Sequence, residues 1–301
     1  MTEIDLIVNQ FILEEGRLYT LPEIYHQLEE IIRSQSSSMD EIGQIISTDA
    51  SLSAKILKLA NSAIYGLRTE VSTLGRALNL VGIKEVQNII LLDSLAGKFN
   101  DDKQCSVINM EDFWRRSVYL ALIAKRLAKK LRHPNADRLF ISAIMSRLGQ
   151  LVCCATRTEE VSQILHEHRN NAARIEFNIE NNILGFTYNE VSAKMLANWK
   201  VPEEITLCLQ YCHDPVNAPE NIKNSYFNDL SILNAATIYS GILELDENTI
   251  ETTEFCLTQV NPLVNESLNI NKQTIDDIFF EIELDALEIM GIIFPQTGLI
   301  F

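Results

Sequence analysis

The stretch Ile144-Met145-Ser146-Arg147-Leu148-Gly149 places a guanidinium inside the most apolar part of the chain, which runs from Arg138 to Cys154. Arginine is a permanent cation with five N–H donors and no acceptor, so it repels a divalent metal and needs an anion instead. That anion could be an internal carboxylate or a bound phosphate. A second cluster, Cys208-x3-Cys212-His213, sets two thiols one helical turn apart beside an imidazole. Zinc sites use four such ligands, and with no second cluster in view ordinary packing is expected. His26, His166 and His168 occupy polar or helix-end positions and are assigned no chemistry. Ser-His-Asp arrangements, phosphate loops and nucleotide fingerprints are missing.

The elements that must position these residues are helices. Thr20-Leu21-Pro22-Glu23 and Ser38-Met39-Asp40-Glu41 have the form of capping boxes, the second opening a helix that buries Ile42, Ile45 and Ile46. A third helix carries Leu52, Ile56, Leu59, Ala60 and Ala63 as its stripe, with Gly66 as its stop. Short helices follow over 72–82 and 83–95, and 97–110 is expected to be a polar linker. From Asp112 to about Arg132 an apolar stripe of Leu120, Ile123, Ala124, Leu127, Ala128 and Leu131 opposes a basic face. That face is expected to hold Arg115, Arg116, Lys125, Arg126, Lys129, Lys130 and Arg132. It could meet an acidic partner or the protein's own acidic C-terminal region. His133-Pro134-Asn135 should break the helix, and 138–154 should be central to the core. Further helices are expected over 158–170, 174–183, 187–199, 202–212, 229–244 and 272–291, with Asp214 to Phe227 an irregular loop.

These elements predict an all-α, two-lobed helical bundle. The expected division is an N-terminal helix over 1–19, an N-terminal lobe over 20–100, a second lobe over 111–245, and an acidic extension over 246–301. Hydrophobic residues are 47% and charged residues 22%, the balance of a globular protein. The formal net charge is -16, and from Asn224 onward thirteen acidic residues face one basic residue, Lys272. That excludes non-specific nucleic-acid binding as a leading class, because it depends on neutralising phosphates with Lys and Arg. No signal peptide and no apolar run of about 18 residues is evident, so no membrane span is expected and the simplest location is the cytoplasm. The six cysteines lack CxxC spacing and are expected to be reduced and mostly buried.

Several blocks together resemble the HDOD domain family. They are Leu21-Pro22-Glu23, Ile46-Ser47-Thr48-Asp49-Ala50-Ser51-Leu52, the block Leu59-Ala60-Asn61-Ser62-Ala63-Ile64-Tyr65-Gly66, Phe113-Trp114-Arg115-Arg116-Ser117, Leu184-Gly185-Phe186 and Leu196-Ala197-Asn198-Trp199. The resemblance covers most of the chain from about residue 18 and implies an HD-domain-like helical fold related to metal-dependent phosphohydrolases. It also implies a place among bacterial signalling and regulatory proteins. An HD enzyme holds one or two metal ions on His and Asp side chains to activate water. By that resemblance Arg116 stands where the first His would be, and Ser146-Arg147 replace the His-Asp pair. Tyr188 stands for a later His, Cys212 for the first of a His-His pair that leaves His213, and Ala236 aligns near the final Asp. One surviving imidazole cannot hold a catalytic metal, so neither cofactor nor metal is expected and the protein is expected not to be an enzyme.

Arg116 and Arg147 are expected either to pair internally, with a carboxylate such as Asp137 or Glu190, or to receive a phosphorylated small molecule. Of the family block Asn61, Ser62, Tyr65 and Gly66, Asn61 and Ser62 are expected to hydrogen-bond a neighbouring loop. The leading expectation is a non-catalytic signalling protein that acts by binding another protein, through its N-terminal bundle or its acidic C-terminal region. With no receiver, kinase or output segment in view, it would take its information from separate chains. The alternatives are a phosphohydrolase or phosphodiesterase with an altered site, and a sensor of a phosphorylated ligand.

Overall fold

The computed structural model describes residues 2–14, 24, 27–28, 39–63, 65–67, 69–83, 85–90, 93, 106–170, 175–243 and 252–293. The expected capping box at Thr20–Glu23, the cap Ser38, His26 and Cys105 lie outside the described residues. Among those described, every regular element is a helix. The chain divides into two compact units, one of residues 1–16 and 103–283 and the other of residues 17–102 and 284–301. The N-terminal helix thus belongs with the larger unit, and the acidic C-terminal segment is shared between the two.

In the smaller unit, α2 (Met39–Ser47), α3 (Ala50–Asn61) and α4 (Leu74–Val81) pack on one another. The α2 helix buries Ile42 and Ile46, while Ile45 is only half-buried. Asp49 caps α3, its side chain accepting from the Leu52 amide at 3.0 Å. The α3 stripe of Leu52, Ile56, Leu59 and Ala60 is buried, but the helix ends at Asn61 and Ala63 is exposed. Gly66, at φ +59°, turns the chain after the helix has already ended.

The end of α3 is fixed by its own side chains. Asn61 donates to the carbonyls of Leu57 (3.0 Å) and Val71 (2.8 Å) and accepts from the Val71 amide (2.7 Å). Asn61 therefore clips the loop that follows, as expected. Ser62 does not share this task, because its hydroxyl donates back to Leu59 of its own helix at 2.6 Å.

In the larger unit, α1 (Glu3–Glu14) comes first, and the long α5 (Met110–Lys130) follows from residue 110. Asn109 caps α5 by accepting from the Glu111 and Asp112 amides. The chain reverses at Arg132 (φ +53°) into α6 (Ala136–Ser146), which is followed at once by α7 (Leu148–Thr156). The remaining helices are α8 (Thr158–Asn170), α9 (Glu176–Leu184), α10 (Tyr188–Asn198), α11 (Glu203–Tyr211), α12 (Glu220–Ile242), α13 (Thr252–Gln259), α14 (Pro262–Leu268) and α15 (Lys272–Ile293), the last of which belongs to this unit only as far as Glu283. α5 packs along α6 and α12, and α10 packs against α7 and α11. α1 lies on α7 and α10, where Glu3 meets Arg157 (3.2 Å) and Asp5 meets Lys194 (2.6 Å).

The segment 136–156 is long and apolar enough on average to cross a membrane, but its most apolar window is 89% buried inside the fold and it is interrupted at Arg147, as befits a core element. Two readings of this unit need correction. The expected loop 214–227 is helical from Glu220. Pro219 precedes the first turn, Ile222 is buried, and Lys223 pairs with Glu220 at 2.8 Å, while Asn221 and Asn224 tolerate the exposed side. The basic face of α5 is narrower than its sequence spacing implies. Arg116 and Lys125 are each only 3% exposed and point into the fold, where Lys125 pairs with Asp137 at 2.5 Å. Arg126 reaches the acidic C-terminal region instead, meeting Glu281 at 3.1 Å.

Candidate functional site

Arg116 and Arg147 converge on one carboxylate, Glu176 at the first turn of α9. Arg116 binds it with both terminal nitrogens, Nη1 to Oε1 at 3.1 Å and Nη2 to Oε2. Arg147 adds Nη1 to Oε2 at 3.4 Å and directs Nη2 to Gln150 Oε1 at 2.6 Å. All four groups are buried, with Arg116 3%, Arg147 6%, Glu176 7% and Gln150 2% exposed. Internal pairing of both arginines is therefore present, but not with Asp137 or Glu190. Asp137 is taken by Lys125, and Glu190 closes a capping box with Thr187.

Local structure explains why these side chains meet. Arg147 is the single residue between α6 and α7, where the helix is interrupted. Ser192 on α10 holds that break, accepting from the Gly149 amide (2.6 Å) and donating to the Ser146 carbonyl (2.6 Å). Gly149 must be glycine for this approach, because a Cβ there would lie 2.0 Å from the Tyr188 carbonyl oxygen. The Arg147 guanidinium sits 5.8 Å from the Phe113 ring centroid.

Electrostatics follow from burial and proximity. Burial alone would raise the Glu176 carboxyl, but Arg116, Arg147 and His168 outweigh it and hold it at about 2. Glu180, one turn along α9, goes the other way: burial, then the Glu176 charge, push its carboxyl well above the usual range. Burial lowers His168 to about 4, opposed by Glu176 and reinforced by Arg116 and Arg147. The site thus pairs one ionised carboxylate with a carboxyl whose charged form is disfavoured by burial, beside an imidazole that is neutral near pH 7.

The other residues singled out by sequence are dispersed. The Ser146 hydroxyl donates to Ala143 of its own helix at 2.7 Å. Tyr188 is 2% exposed, its amide bonds Glu180 at 2.8 Å, and its hydroxyl has no partner among the described residues. Cys212 accepts from Asn189 at 2.9 Å, and burial pushes its thiol up to about 12, so it is protonated. Burial likewise raises Cys208. None of the five described cysteines is disulfide-bonded, and all are buried. His213 lies in a different cavity, edge-on to Phe177 with 6.4 Å between ring centroids. Ala236 is buried in α12, and the polar group there is Asn234, which donates to the carbonyls of Cys212 (2.8 Å) and His213 (3.2 Å).

Sequence reasoning missed Glu176, Glu180 and His168. Two carboxylates four residues apart between Ile175, Phe177, Ile179 and Leu184 were a usable signal, since they share the apolar face of one helix.

The metal implied by the resemblance does not fit these residues. An ion beside Glu176 would face two guanidiniums that already hold that carboxylate, while burial disfavours the charged form of Glu180 and keeps the Cys212 thiol protonated. Among the described residues, no three His, Cys, Asp or Glu side chains are grouped to hold a metal ion.

The description "HDOD domain" matches residues 18–215 of this chain. An "Uncharacterized protein" of Treponema pallidum (strain Nichols) is 24% identical over 217 residues, which is 69% of this chain and 40% of that protein. The chain thus spans about two fifths of the length of that curated relative. An HDOD domain protein of unknown function from Geobacter sulfurreducens has a similar crystal structure. Its TM-score is 0.67 at 19% identity, over 98% of both chains. That likeness extends to the fold.

Proposed function

The chain belongs to the HDOD domain family, and we propose that it is a non-catalytic cytoplasmic regulatory protein that works in signalling by binding another protein. The observation that carries this reading is Glu176 shared by Arg116 and Arg147. At the place where the resemblance implies metal ions, the fold holds a buried ion-paired cluster that offers no ligand set. A contact surface is available on α15, where Phe280 and Leu284 are 85% and 79% exposed one turn apart, flanked by Asp276, Asp277 and Glu281. Large exposed apolar groups with acidic neighbours suit a basic, amphipathic protein partner.

The test has two arms. Full-length protein purified without chelators is analysed for bound metal and assayed with Mn²⁺ or Mg²⁺ against nucleotides and cyclic dinucleotides. The expected result is no stoichiometric metal and no metal-dependent turnover; turnover abolished by Arg147→Ala overturns the reading. In the second arm, cross-linking in the native host compares wild type with Phe280→Asp/Leu284→Asp. A discrete cross-linked partner lost in the double variant supports the contact surface.

A further inference from the structure

The two arginines that clasp Glu176 also form the floor of a cleft of about 190 Å³. Its polar lining includes Arg115, Arg116, Arg147, Gln150, His168 and Arg169, with Phe113 and Leu165 among its walls. Asp112 is the one carboxylate among the lining residues, and it is bound to Arg115 at 2.5 Å. We propose that this cleft binds the phosphate of a small phosphorylated molecule. This goes beyond the protein-contact reading and stands if that reading falls.

Three features carry the assignment. First, four guanidiniums border one cleft in a protein whose formal net charge is -16, so the cluster is a local exception to the prevailing charge. Guanidinium forks match phosphate oxygens in geometry as well as charge. Second, the floor is rigid before any ligand arrives. Arg116 and Arg147 are buried, oriented by an ionised carboxylate and, for Arg147, by Gln150. Side chains fixed in advance lose little entropy on binding. Third, neither ring nitrogen of His168 has a hydrogen-bond partner among the described residues, although the ring borders the cleft. A phosphate oxygen would supply one. Arg115 and Arg169 are exposed at the rim, placed to close on a ligand seated against the floor. Of the positions that the resemblance assigns to metal ligands, Arg116 and Arg147 line the cleft, while Tyr188, Cys212, His213 and Ala236 do not.

Calorimetric titration of the full chain at constant ionic strength tests this with inorganic phosphate, pyrophosphate and a nucleoside 5′-monophosphate. Saturable binding of at least one is expected. Arg115→Ala/Arg169→Ala should weaken it about tenfold or more, the effect of about 1.4 kcal/mol of lost contact. Both residues are exposed, so circular dichroism should confirm an intact fold. Binding of the inorganic anions alone identifies a free phosphate ligand, and tighter binding of the nucleotide identifies an organic phosphate; either supports the site. No saturable binding of any of the three, or unchanged affinity in the double variant, overturns it.

Discussion

Gly241 on α12 leaves the space that the guanidinium of Arg116 occupies: a Cβ at 241 would lie 2.7 Å from Arg116 Nη2. The glycine therefore belongs to the ion-pair cluster although it carries no side chain. Gly241→Ala should push the guanidinium off Glu176 and destabilise the protein by about 1–3 kcal/mol through overpacking. The better helix propensity of alanine, worth about 1 kcal/mol, offsets part of that. Gly291→Ala is the control, since nothing lies within 4 Å of a Cβ at that α15 position. Urea denaturation should show the 241 variant less stable than wild type and the 291 variant equal or more stable. Equal effects at the two positions would remove the steric argument.

Glu176 is the common partner of Arg116 and Arg147, so its replacement should cost more than that of either arginine's neighbours. Glu176→Gln keeps the shape but leaves two buried guanidiniums without their charge partner, an effect of about 3–5 kcal/mol. The same change at the exposed Glu254, whose pair with Lys272 spans 3.2 Å at the surface, should cost less than about 1 kcal/mol. Chemical denaturation of the two variants measures the contrast.

The pH dependence has a definite sign. His168 is lowered from 6.5 to about 4 and Glu176 from 4.5 to about 2, so in each window the unfolded chain binds more protons than the folded one. Stability contributed by His168 should be lost as pH falls from 6.5 towards 4, and that from Glu176 as pH falls from 4.5 towards 2. His168 contributes up to about 3 kcal/mol across its window. Glu180 acts oppositely: with its carboxyl raised, stability drains as pH climbs above 4.5. In melting curves, His168→Asn should flatten the slope between pH 4 and 6.5, and Glu180→Gln should flatten the decline on the alkaline side. A wild-type slope unchanged by His168→Asn would remove the imidazole from this account.

How much of this was legible in the residues depends on the kind of interaction. The apolar stripe of α5 and the break at His133-Pro134-Asn135 follow from local periodicity and proline geometry, and both are present. The inward turn of Arg116 and Lys125 was not legible, because each lies on the polar-looking side of a helix that is buried nearly all round. Only the tertiary partners Glu176 and Asp137 explain why cations stand there. Likewise Pro and Asn between 214 and 227 suggested a loop, while burial of Ile222 decided for helix. The cation pair itself was legible at Arg147 from its apolar surroundings. Its carboxylate partner was not, since 29 residues of chain separate Arg147 from Glu176.

Asn61 of the family block bonds the loop that follows α3, and its test separates the two halves of one amide. Asn61 Oδ1 accepts from the Val71 amide at 2.7 Å, while Nδ2 donates to the Val71 and Leu57 carbonyls at 2.8 and 3.0 Å. Asn61→Ala removes all three bonds and should cost about 1–3 kcal/mol. Asn61→Asp keeps the acceptor for the Val71 amide but places a carboxylate against two carbonyl oxygens. It should therefore retain hydrogen-exchange protection at Val71 while lowering the melting temperature. Asn61→Ala should lose that protection, because the Val71 amide then loses its side-chain acceptor. Protection at Val71 that survives in Asn61→Ala would show that the loop is held by something other than this side chain.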